Sequence, residues 1–334
     1  MDKPLKIIIS GGGTGGHIFP AVSIANAIMA KHPDAQILFV GAKGRMEMQR
    51  VPQAGYKIEG LPVRGLIRPL YSPKNIGVAI DYLRSKHLAK KIVRTFKPQV
   101  AVGVGGYASA AALKAAESLG VPCLIQEQNS YAGKTNKMLG DKAKKICVAY
   151  DGMERFFPAD KIVKTGNPVR QNVVNATITK EAARQQFGLD PNKKTILLVG
   201  GSLGARTINE SMKQHLDMVR DSDVQFIWQT GKYYNAEMNE AVKQFGELPN
   251  LKVLDFITDM GAAYKAADLV ISRAGASSIS EFCLIGKAVI LVPSPTVADD
   301  AKLAQLSENI KKLGFKNSAD IIADEVIKLA ATKA

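Results

Sequence analysis

The chain has 334 residues, of which 46% are hydrophobic and 22% charged, as in a globular protein with one or two domains. Its cysteines, Cys123, Cys147 and Cys283, lie far apart in apolar runs, which excludes a disulfide framework and a metal-binding spacing and fits a reducing compartment. No apolar run is long enough for a signal peptide or a membrane-spanning helix. We therefore expect a soluble or peripheral protein.

The net charge of +15, from 45 basic and 30 acidic side chains, indicates an anionic partner. The excess is concentrated in residues 61–97, where nine basic residues accompany one acidic residue, Asp81. Apolar residues lie among these cations, which suits an anionic membrane surface better than nucleic acid, because nucleic-acid binding favours aromatic platforms and aromatic content is only 6%. We predict membrane contact through residues 61–97 and no nucleic-acid partner. A solvated helix face is the alternative.

In the first half of the chain, short apolar runs alternate with helical patterns of about a dozen residues. This alternation indicates βαβ units and a parallel sheet. The predicted strands are Lys6–Ser10, Gln36–Val40, Gln99–Val104, Pro122–Gln126 and Lys145–Val148, and a predicted alanine-rich helix is Ala108–Glu117.

The same pattern starts again in the second half. The predicted elements are the strands Thr195–Val199, Gln225–Gln229, Lys252–Phe256, Leu269–Ser272 and Ala288–Val292, and the helix Arg206–Met218. The fold class is therefore α/β with two Rossmann-like domains and parallel sheets. Gly166 and Pro168 interrupt the pattern, so we place the boundary between residues 1–164 and 165–334 and leave open whether the last helix packs on the first domain.

Three glycine loops follow predicted strands, at Gly11–Gly16, Gly103–Gly106 and Gly200–Gly204. The first matches the dinucleotide fingerprint, but the second strand ends at Val40 without the acid that would hold a ribose. A P-loop is also disfavoured, because His17 stands where lysine would be required. Each loop alone could be a tight strand–helix turn. Three together predict a ligand site at the carboxyl ends of the strands, in a cleft between the domains.

Seven segments carry a resemblance to a known family. They are GGGTGGHIFPAVSIANAI at 11–28, GVGGYAS at 103–109, QEQNSYAGKTNK at 126–137, TGNPVR at 165–170, GGSLGARTIN at 200–209, FITDM at 256–260 and SRAGASSISE at 272–281. In this order the chain resembles the MurG family, peripheral membrane glycosyltransferases of bacterial cell-wall synthesis with the two-domain GT-B fold.

The resemblance implies a hexosyltransferase that moves N-acetylglucosamine from UDP-N-acetylglucosamine to the 4-hydroxyl of the muramyl sugar of lipid I. The product is lipid II, and the anomeric centre inverts. The family implies a first domain that binds acceptor and membrane, a second that binds the UDP-sugar, no cofactor, and a location on the cytoplasmic face of the bacterial inner membrane. Helix N-termini and side chains would stabilise the departing diphosphate.

The resemblance also implies site residues. His17 is the predicted catalytic residue, and Glu127 is a second candidate for acceptor binding or base work, with a capping carboxylate as an equal alternative. Arg170 would pair with the diphosphate and Glu281 would accept both ribose hydroxyls, whereas Ile257 would contact uracil or belong to the core. The full set of implied substrate-binding residues is Thr14, Gly15, Gly16, Asn129, Arg170, Ser202, Ile257, Ala276, Ser277, Ser278, Ile279, Ser280 and Glu281.

The resemblance weakens after Asp300, where a stretch of family residues is missing. The glutamine that would help hold the donor has Gln305 as a weak counterpart. Two alternatives therefore stay open: another GT-B enzyme that uses a UDP-sugar, either a transferase or an epimerase, and a homologue that binds without catalysis.

Overall fold

The computed structural model describes residues 4–65, 74–293 and 318–331. The chain divides into two units between Val169 and Arg170, and the C-terminal helix Ser318–Ala331 belongs to the first unit. This division lies a few residues after the boundary at 164/165 that the sequence pattern suggested. Each unit is built around its own parallel sheet.

The sheet of the first unit has seven parallel strands in the order β3-β2-β1-β4-β5-β6-β7. Its central strands consist of buried β-branched and other apolar residues, and Ile7, Ile8 and Ile9 are fully buried, as expected for a sheet covered on both faces. The strands are β1 (Lys6–Gly11), β2 (Gln36–Ala42), β3 (Lys57–Leu61), β4 (Val100–Gly105), β5 (Cys123–Glu127), β6 (Lys145–Val148) and β7 (Ile162–Lys164).

Helices cover both faces of this sheet and form two cores. The C-terminal helix adds Ile322 and Val326 to the core on the side of the first helix, and Lys31 of that helix pairs with Asp324 at 2.6 Å. The helices are α1 (Gly15–Lys31), α2 (Glu47–Gln53), α3 (Lys74–Phe96), α4 (Tyr107–Ser118), α5 (Lys134–Gly140) and the C-terminal helix.

The second unit has five described parallel strands in the order β10-β9-β8-β11-β12. They are β8 (Thr195–Val199), β9 (Gln225–Gln229), β10 (Leu251–Leu254), β11 (Leu269–Arg273) and β12 (Val289–Val292). The helices are α6 (Gln171–Val174), α7 (Lys180–Gln186), α8 (Arg206–Lys213), α9 (Leu216–Arg220), α10 (Asn235–Phe245), α11 (Met260–Ala266) and α12 (Ala276–Ile285).

The two parallel sheets confirm the predicted fold class. The predicted helix 206–218 is wrong as a single element, because the chain breaks at Gln214 and His215 into α8 and α9. Leu216 and Val219 lie in the same core as Met212. Among the described helices, none has the length and apolar character needed to cross a bilayer.

Candidate functional site

The first glycine loop joins β1 to α1 through Gly12, Gly13 and Thr14. Gly13 has a φ of +87°, a conformation that other residues rarely adopt. Thr14 is the N-cap of α1, but its hydroxyl makes no capping bond to the amides of the first turn. Thr14 and Gly16 are exposed and Gly15 is half-buried, which leaves this turn open to a ligand.

His17 lies in the first turn of α1 with its ring half-buried. The Nδ1 atom is 3.0 Å from the carbonyl oxygen of Gly12 and 3.5 Å from the hydroxyl of Thr14. Because a carbonyl can only accept, the bond to Gly12 requires a hydrogen on Nδ1. In the neutral ring Nε2 is then unprotonated and can take a proton, as a general base requires.

The second glycine loop, at the end of β4, packs directly against the first. A Cβ atom on Gly105 would lie 2.8 Å from Nε2 of His17, and one on Gly106 would lie 2.6 Å from the Gly12 oxygen. Both residues also have positive φ angles, +103° and +89°. Only glycine therefore permits this approach, and the structure brings these two predicted loops together within the first unit.

Glu127 is the last residue of β5 and only 1% exposed. Its Oε1 accepts from the backbone N and Nδ2 of Asn129, both at 3.0 Å, and its Oε2 accepts from Gly133 N and Asn136 Nδ2, both at 2.9 Å. Four donors occupy about as many lone pairs as a carboxylate has. The geometry favours the capping role that the sequence left open, and His17 is the stronger candidate base.

Asn129 is exposed and lies two residues after the end of β5. Its Nδ2 is held by Glu127, so the orientation of the amide is fixed. Within the described part of the chain its Oδ1 has no partner and can accept a hydrogen bond from a sugar. This geometry is compatible with the donor-sugar contact that the family resemblance implies.

Glu47 is a site residue that the sequence analysis missed. It is the first residue of α2 and fully buried, with its Oε2 2.9 Å from Gly13 N and its Oε1 3.0 Å from Ala42 N. The carboxylate of Glu47 therefore holds the first glycine loop in place through the Gly13 N–H. The sequence could have indicated Glu47 only through its place in the first turn of the helix that follows the glycine at the end of β2. Many surface helices carry an acid at this position, so the pattern is not specific.

The third glycine loop joins β8 to α8 in the second unit and carries the half-buried Ser202. Gln229, which is 3% exposed at the end of β9, holds the loop with its amide. Its Oε1 accepts from Gly201 N at 3.2 Å, and its Nε2 donates to Gly201 O at 2.9 Å and Asp255 O at 3.0 Å. A neutral group thus fixes the loop and leaves the hydroxyl of Ser202 at its surface.

Arg170 and Glu281 form a bidentate ion pair in the second unit, with Nε–Oε1 and Nη2–Oε2 distances of 2.8 and 3.0 Å. The hydroxyl of Tyr264 donates to the same Oε2 at 3.2 Å. Burial and the nearby carboxylate raise the pKa of Tyr264 well above its ordinary value, so the phenol remains a donor. Burial favours a lower pKa for Arg170, but the attraction of Glu281 outweighs it and raises the pKa.

This pair bears on two predicted roles. Glu281 already accepts three hydrogen bonds, so one further ribose hydroxyl can join it without rearrangement. The use of Arg170 on a diphosphate and of Glu281 on both ribose hydroxyls requires the pair to open. Both roles stay predictions.

The remaining donor-side residues lie at the start of α12 and after β10. Gly275 is the N-cap of α12, and the hydroxyl of Ser277 is buried with no partner in the described part of the chain. The first-turn amides of Ala276, Ser277 and Ser278 are oriented as in anion sites at helix N-termini. The buried members of the predicted set are Ile279, Ser280, which donates to Ala276 O, and Ile257, whose side chain lies in the core.

Some predictions lie outside the described residues. They concern Gln305, the missing stretch after Asp300 and positions 66–73 of the basic region. Over residues 4–65, 74–293 and 318–331, no group of three or more His, Cys, Asp or Glu side chains could hold a metal ion.

Comparison with known proteins gives two matching family models, the glycosyltransferase family 28 N-terminal domain at residues 7–148 and its C-terminal domain at residues 195–330. A UDP-N-acetylglucosamine--N-acetylmuramyl-(pentapeptide) pyrophosphoryl-undecaprenol N-acetylglucosamine transferase from Bacteroides thetaiotaomicron is 60% identical over 99% of both chains. The enzyme of that name from Phocaeicola vulgatus is 59% identical over 99% of this chain and 98% of its own. The first of these alignments spans 369 positions, more than this chain has residues, so some positions of the relative have no counterpart here.

Among solved structures, Acinetobacter baumannii MurG matches 97% of this chain and 100% of its own at 26% identity and a TM-score of 0.64. A UDP-GlcNAc 2-epimerase from Neisseria meningitidis matches 97% of this chain and 100% of its own at 15% identity and a TM-score of 0.63, which shows a shared fold alone.

Proposed function

The chain belongs to glycosyltransferase family 28, and on this premise we propose the reaction and the residues that perform it. The protein transfers N-acetylglucosamine from UDP-N-acetylglucosamine to the muramyl sugar of the undecaprenyl-linked acceptor lipid I, which yields lipid II. The observation that carries this function is the 60% identity to an enzyme of this name over nearly the whole of both chains.

On the acceptor side, His17 is the base. Its Nε2 takes the proton of the 4-hydroxyl while the hydroxyl oxygen attacks the anomeric carbon of the donor sugar. The bond from that carbon to the UDP oxygen breaks, its electron pair leaves with UDP, and the configuration inverts. What supports this role is the Nδ1 contact to the Gly12 carbonyl, which leaves Nε2 free of hydrogen in the neutral ring.

On the donor side, the second unit holds UDP. The third glycine loop with Ser202 and the amides at the start of α12 face the diphosphate, where N–H groups stabilise the charge that develops on the leaving group. Arg170 adds a cation at the diphosphate once its pair with Glu281 opens, and Glu281 then accepts the ribose hydroxyls. The buried side chain of Ile257 leaves its backbone groups for uracil.

The membrane contact is made by α3. Its first half exposes Ile76 and Leu83, with 67% and 65% of their surface accessible, and Ile80 lies on the same helix at 46%. Exposed cations follow at Arg84 and Lys86. Apolar side chains beside cations support peripheral binding to the anionic cytoplasmic face of the inner membrane.

A transfer assay tests the function with radiolabelled UDP-N-acetylglucosamine and a lipid I analogue. We expect lipid II formation by the wild type and a fall of about 10²- to 10⁴-fold in kcat for H17A. The exposed His215, whose Nδ1 also contacts a carbonyl, provides the control variant H215A, for which we expect unchanged transfer. H17A with unchanged kcat/KM would overturn the base assignment. Interconversion of UDP-sugars without acceptor would identify an epimerase instead.

A further inference from the structure

One peptide group of the first glycine loop connects two ionisable side chains. The Gly13 N–H donates to Oε2 of Glu47 at 2.9 Å, and the Gly12 carbonyl accepts from Nδ1 of His17 at 3.0 Å. These N–H and C=O groups belong to the same peptide bond. The carboxylate, the peptide and the imidazole therefore form a continuous chain of hydrogen bonds.

We propose that Glu47 is a positioning residue for the transfer reaction, which acts through the Gly12–Gly13 peptide to fix the tautomer of His17 and strengthen Nε2 as a base. The inference rests on the proposed role of His17. Hydrogen bonds in such chains polarise one another, so a carboxylate on the N–H makes the carbonyl at the other end a better acceptor. A better acceptor at Gly12 holds the hydrogen on Nδ1.

The surroundings of Glu47 are shaped for this carboxylate. It is fully buried, both of its oxygens accept backbone N–H groups, and this is the bonding pattern of an ionised carboxylate. A Cβ atom on Gly12 or Gly41 would collide with the Glu47 side chain, so glycine at these two positions leaves room for that side chain. Burial of a charge is costly, and the positive end of α1 offsets part of that cost.

The position of His17 explains why a negative charge is useful here. The ring lies in the first turn of α1, where the helix dipole opposes the positive charge that the imidazole gains when it takes a proton. Within the described part of the chain, the ring lies against the Thr14 hydroxyl, the Gly12 carbonyl and the Gly105 backbone, which are all uncharged. Glu47, one peptide group away, supplies the compensating charge.

Nitrogen NMR of the histidine rings tests the proposal without an activity measurement. In the wild type, labelled with ¹⁵N-histidine and assigned with H17A, we expect neutral His17 to carry its hydrogen on Nδ1. In E47Q, which keeps the side-chain length and removes the charge, we expect a mixture of the two neutral tautomers. E47D keeps the charge, and we expect it to restore part of the preference for hydrogen on Nδ1.

Kinetics separate positioning from general damage. We expect E47Q to lower kcat for transfer by about 10-fold or more with the Kd for UDP unchanged, because the proposed UDP contacts lie in the second unit. The matched control is D259N, which changes another carboxylate that caps a helix, through Ala262 N at 2.9 Å, in the second unit. We expect the His17 resonances of D259N to equal those of the wild type.

Two results would overturn the proposal: a wild-type His17 that carries its hydrogen on Nε2, or an E47Q protein whose His17 tautomer matches the wild type. If E47Q does not fold, the wild-type tautomer and E47D decide the question. Failure of H17A to slow transfer would refute the catalytic role of His17, whereas the NMR result on Glu47 would stand on its own.

Discussion

The first and third glycine loops have similar sequences and similar places after a strand, yet buried side chains of different charge hold them. Glu47, a carboxylate, binds Gly13 in the first unit, whereas Gln229, a neutral amide, binds Gly201 in the second. A carboxylate that binds a loop repels phosphate. A neutral amide does not offset the partial positive charge at the N-terminus of the following helix, so that charge can attract phosphate. We therefore expect the diphosphate at the third loop and sugar hydroxyls at the first.

The largest effect we expect concerns the buried carboxylate of the second unit. Glu281 is paired with Arg170, whereas the partners of Glu47 among the described residues are backbone N–H groups alone. R170M leaves Glu281 buried without its cation, at a cost of about 3–5 kcal/mol in the free energy of unfolding. We expect R170M together with E281L to recover part of this loss. Denaturant unfolding measures both, and equal stability of R170M and the wild type would contradict the pairing.

Gly106 tests whether the first loop depends on close contact with the second. G106A places a methyl group 2.6 Å from the Gly12 oxygen, which must then move away from His17. Gly120 is the matched control, because its φ is also positive, at +72°, but its Cβ would meet nothing within 4 Å. We expect G120A to lower the free energy of unfolding only by the backbone strain of about 1–2 kcal/mol. We expect G106A to lower the free energy of unfolding further and also to lower kcat. Equal stability and kcat in the two variants would contradict the contact.

Charge at the third loop is tested by Q229E. This change places a carboxylate beside Gly201 and removes the donations to Gly201 O and Asp255 O. We expect the Kd for UDP to rise by about 10- to 100-fold, measured by calorimetry, since a charge at close range is worth one to a few kcal/mol. Q229M loses the same donors without a charge and should weaken binding less. If Q229M and Q229E bind UDP equally, charge does not distinguish the two loops.

The smallest effect we expect concerns the membrane surface of the first unit. L83S removes an exposed apolar side chain from α3, and we expect about fivefold weaker binding to anionic vesicles in a sedimentation assay. Met218 on α9 is equally exposed, at 65%, but belongs to the second unit, so M218S should bind like the wild type. Equal loss in both variants would show that α3 is not the specific membrane surface.

The local pattern predicted most of the fold. The edge strands β3 and β7 were missed because Lys57–Leu61 and Ile162–Lys164 are short and carry polar residues. The break between α8 and α9 was missed because no glycine or proline marks it. Met212, Leu216 and Val219 keep helical spacing across the break and lie in one core, so periodicity alone predicted a continuous helix.

The sequence by itself determined most of the strands, the three glycine loops and the position of the site residues after the strands, because these depend on neighbours along the chain. Only the tertiary structure decided which charged group meets which partner. Glu47 lies 34 residues from Gly13, and Arg170 lies 111 residues from Glu281. Hydrogen bonds and ion pairs act over a few ångströms in space, so the folded sheet, and not the spacing along the chain, brings Glu47 to Gly13 and Glu281 to Arg170.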